Sequence, residues 1–165
     1  MFDLLTRLTA IILLRLGPQD VPPGRPVLIT CMALYALVTG ISLHTGQRSD
    51  NPLGILAVAM IMPLLLCWIV LKLKGKLARW EQTLSALFGT SAVISMMTLP
   101  FSAAASSQAS APVALFMLLA FFWSFAVDAH IWRNALEVAF STGLALAVIL
   151  FAATLFAINT LAGPL

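Results

Sequence analysis

The chain is 165 residues long, 61% hydrophobic and only 9% charged, against about 45–50% apolar and about 25% charged in ordinary globular domains. That excludes a water-soluble globular fold: five spans of about 20 residues, the length that crosses a bilayer, use most of the chain and leave no room for a separate soluble domain. The net charge of +3 comes from basic residues dispersed beside apolar runs, so anionic headgroups rather than nucleic acid are the fitting counter-charge.

Residues 1–16 place Leu4, Leu5, Leu8, Ile11 and Ile12 at helical spacing, with Asp3, Arg7 and Arg15 between them. The pattern predicts an amphipathic interfacial helix lying in the headgroup plane, too short and too charged to span. No A-x-A pattern follows it, so it is expected to stay attached. Residues 17–26 contain four prolines and two glycines, which forbid continuous helix and make a linker.

The five predicted spans are residues 27–43, 53–71, 83–101, 113–132 and 138–158, a single all-α transmembrane bundle. Pro26 suits the first helix start, Pro63 is expected to kink the second helix, and Pro100 is expected to close the third. Trp80 ends a basic connector as an interfacial anchor. Glu81 beside it suits a helix entrance, and His44 an exit at the interface. The uncharged, Ser- and Ala-rich residues 102–111 read as a flexible connector.

Eight of the nine Lys and Arg residues fall on alternate sides of these runs: Arg7, Arg15 and Arg25, then Lys72, Lys74, Lys76 and Arg79, then Arg133, with only Arg48 opposite. Cytoplasmic loops carry the excess of Lys and Arg, which puts the N-terminus in the cytoplasm and the C-terminus outside a bacterial inner membrane. The fourth and fifth runs must be separate spans for that count to hold.

Within the spans, small residues recur four apart at Ala36 and Gly40, Ser85 and Gly89, and Gly143 and Ala147. Such pairs let helix backbones approach closely, and packing within one chain is the favoured use over dimerisation. Met60, Met62, Met96, Met97 and Met117 are expected to fill the core. Cys31 and Cys67 lie inside apolar runs with no metal-ligand spacing and are expected to be buried free thiols.

The most polar helical stretch is residues 128–137, with Asp128, His130, Arg133, Asn134 and Glu137. Helical spacing lets Arg133 pair with Glu137 and His130 with Asn134, and sends Asp128 and His130 to different faces. Only Asp128 is deep enough to raise the functional expectation attached to an intramembrane acid. An ion-paired hairpin at the headgroups is the plainer alternative for the rest. No nucleophile elbow, zinc-protease motif, phosphate loop or paired metal ligands occurs, so neither enzymatic activity nor a cofactor is expected.

The short amphipathic N-terminus, the segment Gly17-Pro18-Gln19-Asp20-Val21-Pro22-Pro23, the five close spans and Gln82-Thr83-Leu84-Ser85-Ala86-Leu87-Phe88-Gly89-Thr90 resemble bacterial members of the Yip-domain family. The resemblance implies a non-enzymatic membrane protein acting through helix contacts and partners. Two functions are therefore expected: a scaffold, assembly or accessory protein that joins other membrane proteins or its own copies, or a small proton-linked permease using Asp128, His130 and Glu137.

Overall fold

The computed structural model describes residues 2–45, 51–105 and 110–163, which form six α-helices and two short 3-10 turns. The helices are α1 (Phe2–Ile12), α2 (Arg25–Thr45), α3 (Pro52–Leu73), α4 (Trp80–Ala105), α5 (Ala111–Leu136) and α6 (Phe140–Leu161). Helices α2 to α6 supply the five segments long and apolar enough to cross a membrane. Arg48 and residues 106–109 lie outside the described residues; of the rest of the connector expected at residues 102–111, residues 102–105 instead continue α4 and Ala111 begins α5.

Helix α4 is the centre of the bundle. Buried residues make up 39% of its apolar window, against 6–17% in the other four. Its sequence allows this because small and hydroxylated residues fall on opposite sides of the helix, Thr83 and Thr90 on one and Ser85 and Gly89 on the other, with all three hydroxyl residues buried. Their hydroxyls donate to the carbonyls of Arg79 (2.8 Å), Glu81 (2.7 Å) and Ala86 (2.8 Å), so each is satisfied by backbone one turn before it. At Gly89 a Cβ would stand 2.6 Å from Leu8 Cδ2 and 3.2 Å from Cys31 Sγ. Helices α1 and α2 thus both dock on α4.

Helices α5 and α6 meet through Gly143, where an added Cβ would lie 2.4 Å from the Ala129 carbonyl oxygen. Ala147, one turn on, is buried, and both cysteines are buried free thiols. Four of the six small residues therefore serve packing inside this chain. Gly40 does not: among the described residues a Cβ there would meet nothing within 4 Å, while Ala36, one turn before it, is half-buried.

Several expectations need correction. Helix α1 ends at Ile12, short of residue 16, because Leu14 turns left-handed at φ 59°. Leu8 and Ile11 on its apolar stripe are fully buried by protein, whereas Leu5 and Leu13 are exposed. Helix α4 runs through Pro100 to Ala105; a proline removes only its own N–H, and one lost bond near a helix end does not stop a helix in apolar surroundings. Met96 and Met97 are outward, 68% and 61% exposed, rather than core filling. Trp80 packs on the core, and its indole N–H is buried without a partner.

The fourth and fifth runs are separate helices. Glu137 breaks them apart at φ 59°, a left-handed residue closing the end of α5. The ends of α3 and α5 and the starts of α4 and α6 therefore share one end of the bundle with the linker, and the basic residues collect there.

Because Gly143 meets backbone while Gly40 meets open space, Gly143→Leu should lower unfolding stability in detergent by about 1–3 kcal/mol, and Gly40→Leu should leave it within about 0.5 kcal/mol. Thermal unfolding of both variants checks this.

Candidate functional site

The five polar residues of the α5 end do not converge on one another. They divide among three settings, each fixed by a different neighbour.

Glu137 projects from the left-handed turn after α5 toward the basic connector between α3 and α4. Lys76 Nζ donates to its Oε2 at 2.6 Å, and the Arg79 guanidinium pairs with Oε1. The same two cations also reach the carbonyls that α5 leaves open. Lys76 Nζ donates to the Leu136 carbonyl at 3.0 Å, and Arg79 donates to Ala135 (3.0 Å) and Asn134 (3.3 Å). The Arg133 carbonyl accepts from the backbone of Glu137 and, at 3.1 Å, of Val138. All four terminal carbonyls thus have partners.

The expected Arg133–Glu137 pair is absent. The left-handed backbone at Glu137 swings its side chain off the helical face on which four-residue spacing would have joined them. Arg133 is exposed and makes no ion pair among the described residues, at the rim of a shallow cleft with Gln19, Asn134 and Val138.

His130 and Asn134 do pair, and they hold the N-terminal segment. His130 Nε2 lies 3.0 Å from the Leu16 carbonyl, and the Asn134 amide donates to the His130 carbonyl at 2.8 Å. The adjoining linker is tied at three further points. Gln82 donates to the carbonyls of Gln19 (3.1 Å) and Val21 (2.9 Å), Arg7 donates to the Asp20 carbonyl (2.6 Å), and the Asp20 carboxylate accepts from Gly17 N–H (2.8 Å). Pro-rich backbone that cannot form helix is thereby satisfied by side chains. Glu81 faces Arg25 at 3.8 Å.

Asp128 stands apart, roughly two turns or about 12 Å of helix rise from Leu136. It lines a half-open cavity of about 250 Å³ to which all five long helices contribute, with Tyr35 from α2, Pro63 from α3, Ser91 from α4, Trp132 from α5 and Thr154 from α6. The Tyr35 ring in the same wall lies 5.1 Å from that of Phe88, tilted at 56°. Asp128 itself makes no hydrogen bond or ion pair among the described residues.

The expected divergence of Asp128 and His130 is therefore found, and so is the His130–Asn134 pair. Local spacing missed Lys76, Arg79, Gln82 and Tyr35. Lys76 and Arg79 carried a signal, since they flank a helix start next to a helix end whose carbonyls need donors, whereas Gln82 reaches the linker instead. Tyr35 carried none, because the cavity wall that it shares with Asp128 is assembled from helices distant in sequence. No family model matches this chain, and no curated protein and no solved structure is detectably similar to it.

The hydrogen bond from Lys76, then the Arg79 guanidinium, hold Glu137 below the ordinary glutamate value of 4.5. A lowered carboxylate stabilises the fold above its unfolded pKa and loses that contribution as pH falls through its folded one. The clamp should persist down through the ordinary glutamate range and open only below it. Glu137→Gln should lower the melting temperature at neutral pH and remove this acid-induced step, while Arg133→Ala should change neither; melting temperature measured against pH decides.

Proposed function

We propose that the protein is a non-enzymatic, multi-pass protein of a bacterial inner membrane that works as a scaffold, assembly or accessory subunit through helix contacts with membrane partners or a second copy of itself. The observation that carries this reading is the open small-residue face of α2. Ser85, Gly89, Gly143 and Ala147 are used inside the fold, whereas a Cβ at Gly40 would meet nothing within 4 Å among the described residues. Small residues facing lipid let another helix approach and gain close dispersion contact. The resemblance to the Yip-domain family points the same way.

The collection of Arg25, Lys72, Lys74, Lys76, Arg79 and Arg133 about one end of the bundle supports a cytoplasmic N-terminus and a periplasmic C-terminus under the positive-inside rule. The exposed apolar surface of α2 to α6 fits lipid as the remaining partner.

A second reading, the small permease, is favoured by one observation: Asp128 lines an interior cavity instead of a helix contact. His130 and Glu137 do not join it, so such a permease would depend on Asp128 alone.

Pull-down in mild detergent should recover a stoichiometric membrane partner or a homo-oligomer with the wild type and lose it with Gly40→Leu, which keeps the fold. A monomer without partners in both cases contradicts the scaffold reading. An engineered Lys74→Cys should react with a membrane-impermeant thiol reagent only from the cytoplasmic side; labelling from the periplasm reverses the orientation.

A further inference from the structure

We infer that the cavity around Asp128 is a binding site for a small organic cation with an apolar body, such as a substituted ammonium carrying one aromatic ring. The inference deepens the permease reading by naming a ligand class, and it rests on that reading only for the existence of a ligand in the cavity.

Among the described residues, Asp3 pairs with Arg7, Asp20 accepts from Gly17 N–H, Glu81 faces Arg25, and Glu137 is held by Lys76 and Arg79. Among the described acids Asp128 alone has no such partner, and it is the one placed deepest among apolar helices. An ionised carboxylate taken out of water without a counter-charge costs several kcal/mol in practice, so the site calls for a cation or a proton. The described residues supply no cation there: Lys76 and Arg79 are engaged at the bundle end, and Arg133 is exposed on another face of α5.

What surrounds the carboxylate selects among cations. Tyr35, Phe88, Trp132 and Phe151 line the cavity with aromatic rings, whose negative faces attract ammonium groups, most strongly when desolvated. A hydrated metal ion would instead want a cluster of oxygen donors. Ala59 and Pro63 both belong to the wall, and Pro63 has no N–H to give the Ala59 carbonyl, which adds an acceptor free of its usual helical bond. Leu66, Leu87, Leu150, Leu155 and Ile158 complete an apolar lining suited to the ligand's body. The volume of about 250 Å³ falls just under the roughly 300 Å³ at which ordinary small-molecule sites begin, which limits the occupant to about one ring.

Trp132 in the wall provides a readout. The full chain in phosphatidylcholine nanodiscs is titrated with benzyltrimethylammonium and, separately, with its uncharged isostere neopentylbenzene, following tryptophan fluorescence; Trp132→Phe identifies the responding indole. The expected result is saturable binding of the ammonium, at least about tenfold tighter than the neutral isostere, with the discrimination lost in Asp128→Asn. The wild-type comparison stands without that variant should it fail to fold. Equal affinity for the two probes, or no saturable response to the ammonium, overturns the proposal. Binding without flux of the ammonium in proteoliposomes keeps the site and removes the permease reading.

Discussion

The structure turns on the way α5 ends. A helix that stops leaves its last four carbonyls without helical partners, and near a membrane few alternatives exist. Here every one is answered: two backbone N–H groups reach the Arg133 carbonyl, Arg79 reaches Asn134 and Ala135, and Lys76 reaches Leu136. Glu137 then binds the same two cations from the turn itself. One arrangement thereby ends α5, starts α6 and fixes the α3–α4 connector against both.

That arrangement recasts the basic residues. The bundle uses several of them as donors. Arg7 and Gln82 hold the linker backbone as Lys76 and Arg79 hold α5, and His130 fastens the carbonyl of Leu16. The proline-rich segment, which by composition could wander, is pinned by side chains from α1, α4 and α5. Among the described acids Asp128 is the exception to this internal pairing, so the cavity around it and the polar bundle end are distinct in chemistry.

How much was legible in the sequence follows from the range of each interaction. The five spans were visible because length and hydropathy are properties of continuous runs. The His130–Asn134 contact was visible because it repeats a local helical spacing. The Arg133–Glu137 pairing failed on one backbone angle, for α5 was expected to continue its register where it turns left-handed. Met96 and Met97 were misplaced because apolarity does not distinguish lipid from core. Ala36 and Gly40 have the same spacing as Gly143 and Ala147, yet only a neighbouring backbone decides which pair is used. The meeting of Lys76 and Arg79 with Glu137, some sixty residues on, could be reasoned only from the unmet need of the helix end.

The central claim, that the basic connector and Glu137 act as one unit closing α5, is tested most directly by a double-mutant cycle on Arg79→Gln and Glu137→Gln, read as melting temperature in detergent. Groups in one network give non-additive losses. The account predicts that the double variant loses clearly less than the sum of the two single losses. Strictly additive losses would show that the two residues act independently and would contradict it.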